Sequence, residues 1–133
     1  MSTDDVFGPV IHSYTRAQAI GDGMLVDVSE VAREAGFTRH TVLTRSVWEG
    51  CVAWDNADER AYQDESGRLW DVLFMARMAA TRAGALTDRV TYKVARIPSG
   101  QQATTPEEVE LVLHIGPGDA GEPVLTIMWP GED

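Results

Sequence analysis

The sequence predicts an α+β fold: an N-terminal helical half with one long core helix, over about 68–83, packed on a C-terminal three-stranded antiparallel sheet. Three observations carry that expectation. Apolar residues recur at helical spacing up to Gly84, the period then falls to two, and no strand-helix-strand alternation links the two regimes. At 133 residues, with 44% hydrophobic side chains and four tryptophans, the chain is large enough to bury a core and short enough to be one domain, 1–133.

Taken in order, Val10–Tyr14 reads as a short strand or extended lead-in. Thr15 then caps a short helix, because Gln18 stands where a capping box needs it, and Gly21 and Gly23 around Asp22 stop that helix. Met24–Val26 is a brief extended apolar run. Asp27 and Glu30 repeat the capping-box spacing ahead of a second helix, 28–35, which Gly36 closes as a left-handed cap. A third helix starts at Thr44 or Ser46, carries Val47, Trp48, Cys51 and Val52 on one face and ends near Trp54. The polar run 55–67 is a loop. In the fourth helix, 68–83, Leu69, Val72, Leu73, Ala76 and Ala80 make one apolar stripe and Trp70, Phe74 and Met78 an adjoining one. This wide combined face marks the central core helix.

Beyond Gly84, Val90, Tyr92 and Val94 alternate with Thr91, Lys93 and Ala95. Val109, Leu111, Leu113 and Ile115 then alternate with Glu110, Val112 and His114. The polar segment 98–106 joins these strands, and the loop 116–123, GPGDAGEP, leads to a third strand over Val124–Trp129. Three sequential strands make an antiparallel meander that the N-terminal extended segments can widen. Glu110 and His114 share a face opposite Leu111 and Leu113, which puts acidity on an open sheet face.

The formal charge of −10 is unevenly spread. Residues 97–133 carry seven acidic side chains, Glu107, Glu108, Glu110, Asp119, Glu122, Glu132 and Asp133, with no lysine or arginine. Such asymmetry is read either as a surface for a partner with a basic face or as acidity that merely keeps the protein in solution. The N-terminal residues lack a basic stretch followed by an apolar run, and no segment approaches the length of a membrane span, so the expectation is a cytoplasmic protein without membrane contact. Cys51 is the single cysteine and reads as a buried structural thiol. His12, His40 and His114 are too scattered for a metal site, and neither metal nor cofactor is expected.

Three arrangements bear on chemistry. His12, Tyr14, Arg16 and Asp22 can line a small polar pocket, which would serve a small enzyme. Gly116, Gly118 and Gly121 imitate a phosphate loop, but the loop has no lysine and runs into a strand. The run SEVAREAGFTRHTVLTRSVW has helix-turn-helix spacing at Ala32, Gly36 and Val42, with Arg39, His40 and Arg45 placed to face DNA. Against direct nucleic-acid binding stand Arg45, at a position such motifs keep apolar, and the net negative charge.

The strings HSYTRAQAIGDGMLVDVSEVAREAGF, RSVWEGCVAW, GRLWDVLFMA and IGPGDAGEPVLTIMWPGED together resemble a family of short proteins of unknown function found in phages, plasmids and integrative elements. The resemblance spans nearly the whole chain and assigns no catalytic residue. It implies a non-enzymatic accessory protein that binds a host protein, in the manner of an anti-CRISPR or anti-restriction inhibitor. The seven C-terminal acids are the expected contacts. A small DNA-binding regulator and a small enzyme are the alternatives.

Overall fold

The computed structural model describes residues 14–54, 63–84, 87–99 and 104–132. The expected lead-in over 10–13, most of the loop 55–67, the middle of the 98–106 connection, His12 and Asp133 lie outside the described residues.

The elements run α1 (Arg16–Gly21), β1 (Leu25–Asp27), α2 (Ser29–Glu34), β2 (Thr41–Thr44), α3 (Arg45–Val47), a π-helical turn (Trp48–Val52), α4 (Glu65–Ala83), β3 (Arg89–Arg96), β4 (Glu107–Pro117) and β5 (Pro123–Met128). The class is α+β, as expected, but the sheet has five strands in the order β1-β2-β5-β4-β3. The C-terminal meander is antiparallel throughout: β3 pairs with β4 from Arg89 opposite His114 to Arg96 opposite Glu107, and β4 pairs with β5. The N-terminal half adds an antiparallel β1-β2 hairpin, and β2 docks parallel to β5, with Leu43 opposite Ile127. That parallel pair corrects the three-stranded expectation.

Thr41–Thr44 is also where the helix-turn-helix spacing called for a recognition helix. Its sequence, TVLT, is wholly β-branched or leucine, Thr41, Val42 and Leu43 are buried, and two neighbouring strands satisfy its backbone. No recognition helix forms there. Arg45, instead of facing outward from such a helix, donates from Nε to the Gly23 carbonyl at 2.9 Å.

Local capping explains the helix ends. The Thr15–Gln18 capping box forms in both directions, with Gln18 N–H to Thr15 Oγ1 at 3.0 Å and Thr15 N–H to Gln18 Oε1 at 2.8 Å. The Asp27–Glu30 box does not. Asp27 sits in β1, and its carboxylate accepts the Ser29 N–H at 2.9 Å while α2 begins without a side-chain cap on its N-cap residue. Thr44 caps α3 as expected, and the helix loosens into the π-turn at Trp48. The turn carries Gly50, where a Cβ would approach Trp129 Cζ2 to 2.8 Å. The long helix starts three residues before the expected 68, because Asp64 accepts the Gly67 N–H at 2.6 Å and fixes the first turn.

One face of the sheet meets α4 and the π-turn. Leu43, Leu111, Leu113 and Ile127 pack there with Leu69, Val72, Leu73 and Ala76, and Tyr92 donates its hydroxyl to the Val72 carbonyl at 3.1 Å. The second α4 stripe is not core. Trp70, Phe74 and Met78 are 38%, 43% and 41% exposed and point away from the sheet, because the Leu69, Val72, Leu73 and Ala76 stripe alone fills the sheet side. On the opposite face Glu110 is exposed as expected, but the centre is apolar: Val42, Val112, Val124 and Met128 are buried, with Arg16 of α1 lying over Thr126. The sheet is covered on both sides at its middle.

Candidate functional site

The polar set expected near the N-terminus divides. Tyr14 donates to Asp22 Oδ2 at 2.7 Å, a link across α1 that raises the Tyr14 pKa. Arg16 turns the other way, onto the sheet. Its Nη2 donates to the Leu125 carbonyl at 2.7 Å, Nη1 to Thr126 Oγ1 at 2.9 Å and Nε to His40 Nδ1 at 3.3 Å. His40 Nε2 in turn meets Asp27 Oδ2 at 3.1 Å.

Sequence spacing does not reveal this Asp27-His40-Arg16-Thr126 chain, because it assigns Asp27 to a cap and His40 to a DNA-binding motif. The signal lay in β2. With Thr41–Thr44 extended, His40 and Val42 fall on the same side as Asp27, whose backbone register partner is Val42.

The chain is better suited to holding than to reacting. A guanidinium only donates, so His40 Nδ1 is the acceptor and the imidazole proton sits on Nε2, facing Asp27. The Nδ1 lone pair that a general base needs is thereby occupied. Burial disfavours the Asp27 carboxylate, but hydrogen bonds from Ser29 and His40 outweigh it and hold the pKa below the usual range. Burial lowers the Arg16 pKa against the opposing pull of Asp119, Asp27 and Glu122.

The seven expected contact acids do not form one patch. Asp119 receives the Arg16 and Ala17 N–H groups at 2.8 and 3.0 Å, fixing the start of α1 against the β4-β5 loop. Those bonds keep its pKa low. Glu122 accepts the Ala120 N–H within that loop at 3.0 Å. Glu132 accepts from Thr44 Oγ1 at 2.8 Å, Ser46 Oγ at 2.6 Å and Trp129 N–H at 2.7 Å. These three carboxylates have structural partners.

Glu107, Glu108 and Glu110 stand exposed at the start of β4, Glu108 and Glu110 on one face of the strand and Glu107 on the other. Arg96, its side chain mostly buried, reaches Glu107 at 3.4 Å, and Lys93 reaches Glu108 at 3.8 Å in an exposed pair of little energetic weight. Glu108 and Glu110 also border a cleft of about 370 Å³ at the outer edge of β3, shared with Lys93, Tyr92, Thr91, Met75 and Arg82. Next to Met75 on α4 runs the exposed Trp70, Phe74 and Met78 stripe, with the Trp70 and Phe74 rings stacked 6.0 Å apart. The periodicity of α4 displays this stripe in the sequence, but not which way it faces.

Among the described residues no group of three His, Cys, Asp or Glu side chains is placed to hold a metal ion, and no helix is long and apolar enough to cross a membrane. No curated protein and no solved structure matches the chain. A family model described as Family of unknown function (DUF6573) matches residues 5–133.

Proposed function

The chain belongs to that family, and from this premise we propose that it is a non-catalytic accessory protein of a mobile genetic element, binding a host protein with a basic surface and so inhibiting a defence system of the CRISPR or restriction type. The observation that carries the reading is the cleft at the outer edge of β3. Tyr92 and Met75 give it apolar walls and Glu108 and Glu110 border it, while Glu107, the next residue along β4, lies on the strand's other face. A stable protein contact needs an apolar centre with a polar rim, and the unpaired backbone of an edge strand adds donors and acceptors. The net charge of −10 favours a basic partner and steers its approach. Defence nucleases hold nucleic acid in basic channels, which an acidic protein can occupy without performing chemistry.

The contact set narrows accordingly to Glu107, Glu108 and Glu110, while Asp119, Glu122 and Glu132 serve the fold. The test is plating of a targeted phage on a host with an active restriction or CRISPR system, with and without the protein. Expression should raise plating, and replacing Glu107, Glu108 and Glu110 by lysine should remove the effect while circular dichroism stays unchanged. Equal plating with and without the protein against both system types, or a triple variant as active as the parent, rejects the reading.

A further inference from the structure

Among the described residues, three of the five large apolar side chains left exposed stand on one side of a single helix: Trp70, Phe74 and Met78 of α4. Four residues apart, they form one row, and the Trp70 and Phe74 rings stack 6.0 Å apart, which holds the row in shape. Gly67 and Thr81 continue it at its two ends, and Thr81 Oγ1 accepts from Arg77 Nη1 at 2.5 Å, laying that guanidinium along the row. From Gly67 to Thr81 the intervals are three, four, four and three residues, the same from either end. A row with this spacing can lie on its own copy about a two-fold axis through Phe74. Phe74 then meets Phe74, the Trp70 ring meets the Met78 thioether, and Gly67, without a side chain, leaves room for Thr81.

Charge selects the second copy as the occupant. The whole chain carries −10, so two copies repel and can meet only where that charge is locally absent. The long helix meets this condition, with two acids, Glu65 and Asp71, against three arginines, Arg68, Arg77 and Arg82. Arg68 is buried, and the other charges are divided, the acids lying before Phe74 and the arginines after it. Antiparallel pairing brings Asp71 level with Arg77 of the second copy and opposes the two helix dipoles, whereas parallel pairing sets Asp71 against Asp71 and Arg77 against Arg77. A basic host protein finds no row of acids on this side. We propose that the outer face of α4 joins two copies of the chain in an antiparallel, two-fold symmetric dimer centred on Phe74.

One helix face is a small contact, so the dimer is weak and forms as concentration rises, and unfolding assays on dilute protein read the monomer. The cleft at β3 is not consumed by it. Met75 and Arg82 turn from α4 toward that cleft, beside the row rather than in it. A pair therefore carries the cleft twice, and a target with two matching sites is held more tightly than either contact alone would hold it. The pairing itself stands independently of the host-protein contact.

The experiment is sedimentation velocity on the full chain from about 1 μM to about 1 mM. The mean mass should rise from monomer toward dimer, and Phe74→Ser or Met78→Ser should weaken the association by about tenfold or more with circular dichroism unchanged. Helix direction is read from a nitroxide on Ser66→Cys, an exposed position outside the row; Cys51, buried and with its thiol pKa raised by that burial, stays unlabelled. Dipolar spectroscopy on concentrated protein should place the two labels about 25 Å apart, the rise between position 66 and its counterpart across the dyad, against about 10 Å for parallel helices. A monomer mass up to about 1 mM overturns the proposal and leaves the row to a different molecule. An association that both serine variants leave unchanged, or the shorter label distance, overturns it as well. Should one serine variant fail to fold, the other and the label distance decide the matter.

Discussion

Glu132 receives three hydrogen bonds from two parts of the chain that meet only in the folded state, and this gives its ionisation a direct effect on stability. Burial works against its charge, yet the bonds from Ser46, the Trp129 N–H and Thr44 prevail and hold its pKa below the usual glutamate value. A carboxyl whose pKa is lower folded than unfolded contributes stability above its unfolded pKa and loses it as the pH falls through the folded value. Glu132→Gln should therefore cost about 1 kcal/mol at neutral pH, with the difference from the parent shrinking by about pH 3, read as urea midpoints at the two conditions. Gly50→Ala places a methyl 2.8 Å from Trp129 Cζ2, and because that ring is only half-buried and can shift, the cost should be about 1 kcal/mol in the same assay. What the sequence revealed at this scale was local. The Thr15–Gln18 box is readable because its partners are three residues apart, whereas Thr44 and Ser46 meet Glu132 across 88 and 86 positions, a pairing no short pattern encodes.

Among the elements, α4 shows where periodicity stops informing. Two apolar stripes lie along it, and spacing alone ranks neither as the buried one. The sheet-facing stripe is fixed by what it packs against, and Trp70, Phe74 and Met78 are left outward. Phe74→Ser and Met78→Ser should accordingly change stability by less than about 0.5 kcal/mol, while Leu73→Ala costs about 2–5 kcal/mol, measured as denaturant midpoints. The three C-terminal strands were legible because each is long enough to alternate between faces. Strand β2 was hidden for the opposite reason: it has four residues, three of them buried, so alternation is lost and its β-branched composition was the sole remaining clue. The cleft at β3 was likewise invisible, since it needs both the helix position and the knowledge that β3 is an edge.

Across the whole molecule, the strand order β1-β2-β5-β4-β3 joins a local meander to a distant hairpin, and the join is the parallel β2-β5 contact. The β3-β4 pairing closes a short loop, whereas β2-β5 must bring together residues more than 80 positions apart, so the meander should order first. Leu43→Ala should then act mainly by speeding unfolding, and Leu111→Ala, between β3 and β5, should also slow folding. Chevron plots of the two variants, each destabilised by about 2–5 kcal/mol, test this, and equal φ-values would contradict it. The position of β5 also bears on synthesis. It lies between β2 and β4 and follows every other described strand in the chain, so a chain emerging from the ribosome holds β1 and β2 without their neighbour until residue 128 is clear of the exit tunnel. The sheet closes only once β5 has emerged, and until then the apolar edge of β2 is open to chaperones.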